Sequence, residues 1–541
     1  MKRIFILALG IALTASLYAV PAYRGPIEKI QADGSTITVY QHGDEHFHYY
    51  TLADGTWVKK NAEGMFEKTE PITTEQLQQR RTRSHYKAKA PAQTEQAYPL
   101  NIAPRGLIIL VNYSDVKFKS TNTLAGMQEM LNGDNYTYNG ATGSARQYFI
   151  DQSKGQYKPQ FDVVGPVTVS KTMAYYGQND KNGEDVHVDE MIVEACKLAD
   201  AQVDYSKYDN DNDGFVDFVF FIYAGKGEAD NNSEDAEDTI WPHAFWLYQG
   251  YGKTLRLDGK LIDTYACAGE LNGWTGQRNG IGTFCHEFGH VLGLPDLYDV
   301  EYSNKLHTLA DWDIMDGGPY NNYGKTPPAY SAYERFFLGW TKPALLNKAA
   351  TVSLPELQST NACAIVTKTG QSNLKGNDPN PTEFYIVENR QQTGWDTYLP
   401  GHGMIITRIQ YDYNLWMSNY VNTYKYVGND MHVDMIEATT NNDLEYGYPT
   451  DAFPAGGNSF TINQQYYFRN IAEENGIITF DFAGGGEEIL LDVASIPETE
   501  EQILAIYNIM GQNAGSTELS TLPQGLYIVK TNTSTKKVYI R

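Results

Sequence analysis

The sequence predicts an α/β domain with β-rich segments on either side, and three observations carry that prediction. Between residues 98 and 345, apolar runs such as RGLIILV and FDVVGPVTV alternate with helical patterns, SARQYFIDQSKG and VDEMIVEACKLAD, as in a sheet with helices laid on it. Ahead of this stretch and behind it the pattern turns to period-two runs punctuated by Gly, Asn and Asp. Inside it lies one helical segment, CHEFGHVLGLPDLYD, with two histidines four residues apart.

Taken in order, the chain opens with Met1-Lys2-Arg3 and an apolar run from Ile4 to about Ala19, the pattern of a secretory signal peptide spanning 1–19. No cysteine stands near its end, which argues against a lipid anchor, and no later apolar stretch is long enough to span a membrane. Residues 20–97 form the first β-rich segment, with ITVYQHGDEHFHYYTLADGTWVKK reading as a hairpin. It ends in a basic linker containing Arg80, Arg81 and Arg83, where a propeptide would be cut. Without a cysteine in this segment, latency by direct metal ligation would need Asp44 or Glu45, and steric blocking is the alternative. The cluster His42, His46 and His48 is expected in surface or turn positions, because no further ligands accompany it.

The α/β domain, 98–345, contains KYDNDNDGFVD. Asp209, Asp211, Asp213 and Asp217 have the spacing of an oxygen-rich calcium loop, Gly214 permits the turn, and the carbonyl of Phe215 offers another ligand. Position twelve is Phe220 rather than a bidentate Glu, which points to DxDxDG loops generally and away from an EF-hand.

His286 and His290 lie one turn apart on a single helix face, so both imidazoles reach one zinc ion, and Glu287 sits where a general base for the metal's water belongs. Gly293 lets the helix stop in a left-handed conformation, after which the chain can bring Asp296 back as third ligand. Asp299, Glu301 or a distant carboxylate are alternatives for that place. Cys285 points about 100° away from His286 and belongs to the core. Downstream, DWDIMDGGPY puts Met315 in a tight, glycine-rich turn; Tyr320 is a candidate oxyanion stabiliser or a packed aromatic.

These segments, with PPAYSAY and LGW after them, closely resemble the immune inhibitor A (M6) family of secreted metallopeptidases. The resemblance runs over roughly residues 98–470, through EFYIVENRQQTGWDTYLPGHGMIITRIQYDYNLW and DAFPAGGNSFTI. It implies a metzincin-like zincin fold in which Met315 lies beneath the zinc histidines, although the third ligand in such folds is normally histidine rather than aspartate. AVPAYRGPIEKI and HGDEHFHYY resemble the start of that family's propeptide, which implies a zymogen.

Residues 346–483 are expected as a β-rich subdomain packed on the peptidase, with Trp395, Asp396 and Asp412 in packing roles. Gly484-Gly485-Gly486 introduces a tail, 484–541, whose strands suggest a small β-sandwich. The tail resembles the C-terminal sorting domain of the type IX secretion pathway, which implies contact with secretion machinery and a secreted or cell-surface destination.

The net charge of −24 disfavours a nucleic-acid partner, which needs a basic surface, and suits calcium and export. Cys196, Cys267, Cys285 and Cys363 are scattered, consistent with up to two disulfides or with buried thiols. The expected function is a secreted zinc endopeptidase acting on protein or peptide substrates. Its rival is an exported, calcium-stabilised binding protein on the same scaffold, against which the retained Glu287 speaks.

Overall fold

The computed structural model describes residues 18–44, 47–61, 63–71, 103–180, 183–233, 235–300, 303, 305–441, 446–491, 503–508, 525–531 and 535–540. Residues 1–17, within the expected signal peptide, and the basic stretch with Arg80, Arg81 and Arg83 lie outside these, as do Glu45, His46 and Glu301. The chain divides into two compact units, 1–492 and 493–541.

After the short strand β1 (Tyr18–Ala19), an antiparallel meander runs through β2 (Pro26–Ile30), β3 (Thr36–Asp44), β4 (Phe47–Thr51), β5 (Trp57–Lys60) and β6 (Phe66–Lys68). Alternation in β2 turns Ile27 inward, where it meets Val39, Tyr50 and Val58. The meander is tied to the next layer by Lys29, whose buried Nζ donates to the carbonyls of Asn231 and Ser233, both at 3.0 Å. His48 is likewise buried, 3.0 Å from Glu228 and stacked on Trp241, which corrects its expected surface position. His42 faces Thr51 and stacks on Tyr49.

The α/β layer contains β7 (Arg105–Asn112), β8 (Gln160–Thr168), β9 (Phe215–Val216), β10 (Val219–Lys226), β11 (His243–Trp246), β12 (Leu255–Leu257), β13 (Lys260–Ile262) and β14 (Thr264–Leu271). Its main sheet has the order β1-β11-β14-β10-β7-β8, with β7, β8, β10 and β14 parallel and β11 and β1 antiparallel at one edge. The inner strands β7 and β10 carry continuous apolar runs, Leu107–Val111 and Val219–Ala224, because both their faces are covered, whereas β8 at the sheet edge alternates. Ile108, Leu110, Phe220 and Ile222 face the helix Gly282–Val291, whereas Leu107, Ile109, Val219 and Phe221 face the helix Val188–Ala199.

Beyond the turn around Met315, β15 (Ala344–Leu345), β16 (Ala350–Leu354), β17 (Ala364–Val366), β18 (Glu383–Arg390), β19 (Gly403–Gln410), β20 (Val433–Met435), β21 (Phe460–Thr461), β22 (Tyr467–Glu474), β23 (Ile477–Phe482) and β24 (Glu487–Leu490) build two sheets, β15-β17-β18-β19-β20 and β21-β22-β23-β16-β24. Val352, Val387, Ile406, Phe468 and Phe480 fill the space between them. The opposite face of the first sheet, with Phe384, Ile386, Ile405 and Ile409, joins the core of the α/β layer, so no break in packing marks residue 345. Asp396 is buried in an ion pair with Arg390 at 2.6 Å, Trp395 donates to Asp151, and Asp412 caps the helix Tyr413–Met417, so all three have structural roles. β24 pairs in parallel with β16, so the tail begins later than residue 484. In the second unit, β25 (Ile503–Asn508), β26 (Gly525–Thr531) and β27 (Thr535–Ile540) form one antiparallel sheet, and a second sandwich layer is absent among the described residues. All four cysteines are buried and free of disulfides.

Burial alone would lower the His48 pKa, but the Glu228 carboxylate, helped by Glu237 and Asp44, holds it above the ordinary 6.5. A pKa higher in the folded than in the unfolded protein makes this contact's contribution complete below about 6.5 and lost as pH rises through the folded value. Once the linker is cut, the meander should dissociate faster with rising pH, and His48→Gln should flatten that dependence; dissociation rates from a surface-immobilised α/β layer measure both.

Candidate metal centre

The helix Gly282–Val291 is buried along its whole length, as suits a helix apolar on nearly every face. The Nδ1 atoms of His286 and His290 face the carbonyls of Ile314 at 2.7 Å and Leu294 at 2.9 Å. A carbonyl only accepts, so each Nδ1 carries the proton and each Nε2 presents a lone pair. The two Nε2 atoms stand 3.1 Å apart, and Asp296 Oδ1 is 3.2 and 3.3 Å from them. A tetrahedral zinc with bonds of about 2.0–2.1 Å separates its ligand atoms by roughly 3.3–3.4 Å, which this triangle matches closely. Two lone pairs and a carboxylate oxygen at such distances repel one another unless a cation lies between them. Asp296 Oδ1 is buried with no hydrogen-bond donor among the described residues.

The surroundings explain the motif's other residues. A Cβ at Gly289 would lie 2.7 Å from the Met315 sulfur, so glycine is needed for Met315 to pack beneath the helix. Gly293 has φ +96°, ending the helix, and Leu297 N donates to the Met315 carbonyl at 2.8 Å, which anchors the chain just after Asp296. Asp299 accepts from Ser303 and Tyr424.

Residues 18–24 lie along the site. β1 pairs antiparallel with β11, Val20 N donates to Glu287 Oε1 at 3.1 Å, and the Val20 carbonyl accepts from Trp241 Nε1 at 3.0 Å. The Tyr320 hydroxyl donates to the Pro21 carbonyl at 2.6 Å, so it holds the segment's backbone rather than facing the carbonyl that precedes Val20. Arg24 pairs with Asp316 at 2.7 Å. Val20 thus meets Glu287, while Asp44 closes β3 of the hairpin.

Residues 107–341 match the family model of the immune inhibitor A peptidase M6 catalytic domain. This stretch is similar to the catalytic domain of M6-family metallopeptidases. The chain is 26% identical over 312 residues to immune inhibitor A of Bacillus thuringiensis subsp. alesti, covering 50% of this chain and 44% of that one. It is 30% identical over 234 residues to the pre-pro-metalloprotease PrtV of Vibrio cholerae serotype O1 (strain M66-2), covering 38% and 24%. The chain thus spans less than half the length of these curated relatives. Among the described residues, no helix is long and apolar enough to cross a membrane.

The matched stretch also contains the aspartate loop. Carboxylate oxygens of Asp209, Asp211 and Asp217 lie within 4.8 Å of one another. Asp213 instead accepts from Phe215 N at 2.8 Å, Phe215 enters β9, and Lys260 forms an ion pair with Asp209. Burial, with Asp211 and Asp209 nearby, pushes Asp217 up to about 7. Sequence reasoning missed Trp241, Asn419 and the role of Val20, for none of them belongs to a spaced motif.

His290→Ala should lose bound zinc, since two protein ligands hold it far more weakly than three; normal zinc stoichiometry in that variant, by metal analysis, would refute the site. Calcium should raise the melting temperature of the parent protein, and Asp211→Ala should abolish the rise in thermal scans with and without chelator.

Proposed function

We propose that this protein is a secreted zinc endopeptidase made as a zymogen. The observation that carries the proposal is the extended segment at the metal centre, with the Val20 nitrogen 3.1 Å from Glu287. That is hydrogen-bond distance, at which a general acid can hand a proton to a departing amine. His286, His290 and Asp296 would hold zinc, which supplies Lewis-acid chemistry and lowers the pKa of water towards about 7. Glu287 accepts the proton of the attacking water and delivers it to the leaving nitrogen. Freed of β1, β11 takes the substrate backbone as an added strand, and Trp241 and Tyr320 hold the two carbonyls that follow the cleaved bond.

In the zymogen, residues 20–24 occupy this cleft and the meander tethers them there. With residues 1–19 removed as a signal peptide, no acyl group precedes Val20, so the segment is bound like a product and is not itself cleaved. Tethering gives it an effective concentration on the order of millimolar, which linker cleavage and dilution abolish. Calcium held by Asp209, Asp211 and Asp217, with Asp213 and the Phe215 carbonyl completing the loop, stabilises the domain. The C-terminal unit serves as the type IX-like export signal.

Glu287→Ala should retain zinc yet lose about 10²–10⁴-fold in turnover, while the linker-cut parent should be far more active than the intact chain. Peptide-library cleavage by the cut enzyme, mapped by mass spectrometry, should favour small aliphatic residues directly after the cut. Val20 packs there against Ala229 and Trp241, and Trp241→Ala should admit larger ones. Equal activity of intact and cut protein would refute latency; absence of cleavage by the zinc-loaded, cut enzyme would refute the peptidase.

A further inference from the structure

His286 and His290 owe their aim to a buried helix, but Asp296 lies on irregular chain beyond Gly293, so something outside the helix must orient its carboxylate. Asn419 does so, from 123 positions further along the chain. Its Oδ1 accepts from the Asp296 backbone N at 2.7 Å, and its Nδ2 donates to Asp296 Oδ2 at 2.6 Å. The amide orientation follows from the partners, since a backbone N–H can only donate and an ionised carboxylate can only accept. Bracketing Oδ2 in this way turns Oδ1 to the two histidines.

Asn419 is itself held. It is buried, takes φ +55° after the helix Tyr413–Met417, and donates its own N–H to the Trp416 carbonyl. Three residues on, Asn422 Nδ2 bridges the carbonyls of Leu297 and Val433, which fastens the same loop to the chain beyond Asp296. Both asparagines lie past residue 341, the end of the family-model match.

We propose that Asn419 is a positioning residue for the metal centre, acting through Asp296, so that the functional site extends into the β-rich half of the chain. The inference rests on Asp296 being a zinc ligand. Carboxylate ligands are commonly held by such outer hydrogen bonds, and losing one typically weakens metal binding about 10–100-fold.

The test measures zinc dissociation constants of the full chain by competition with a chromophoric chelator, alongside melting of the metal-free protein. Asn419→Ala should weaken zinc binding about 10–100-fold. Asn422→Ala, which removes a loop anchor without touching the carboxylate, should lower the melting temperature with a much smaller loss of zinc affinity. In an Asp296→Ala background, adding Asn419→Ala should change affinity by no more than about twofold, because the two act as one unit. Parent-like affinity in Asn419→Ala, equal losses in both asparagine variants, or additive losses with Asp296→Ala would overturn the inference. Loss of zinc in Asp296→Ala with none in Asn419→Ala would overturn it alone; parent-like zinc binding in Asp296→Ala would overturn the ligand assignment as well.

Discussion

Two imidazole lone pairs and a carboxylate oxygen, buried and within 3.3 Å of one another, form an arrangement that water cannot screen and only a cation can relieve. Much of the surrounding structure serves to hold it. The Ile314 and Leu294 carbonyls fix both tautomers, and Met315 fits beneath a helix that lacks a Cβ at residue 289. The Met315 carbonyl in turn receives Leu297 N–H, so the turn below the helix also steadies the chain that carries Asp296.

The same demand accounts for the second half of the chain. Its first sheet shares a continuous core with the catalytic layer, and the buried Arg390–Asp396 pair reaches that layer through the Ala329 main chain, at both its N–H and its carbonyl. Such a pair tolerates no loosening, since separating the charges would leave either one buried alone. Rigid packing of this kind lets residue 419 act on residue 296 across 123 positions of sequence.

Without β1, β11 would be the edge of the sheet, with free backbone groups that attract any extended chain. β1 covers that edge, and the residues after it run past Glu287. The contacts from Trp241 and Tyr320 are to backbone carbonyls, those of Val20 and Pro21.

Local rules made much of this legible from the sequence alone. Helical spacing puts His286 and His290 on one face, Gly293 adopts the left-handed conformation its place requires, and the continuous apolar runs at 107–111 and 219–223 are parallel strands buried on both sides. Asp296 is also found where its distance from the glycine turn suggested. Other features depend on contacts between distant segments, which periodicity cannot encode. Burial of His48 against Glu228, the passage of Val20 beside Glu287 and the clasp of Asn419 on Asp296 join residues separated by 180, 267 and 123 positions, respectively. A histidine on a predicted hairpin or an asparagine after a short helix looks the same in sequence whether it meets water or a partner. Spacing along the chain therefore brought His286, His290 and Asp296 together, whereas only tertiary packing decided what orients them and what lies across them.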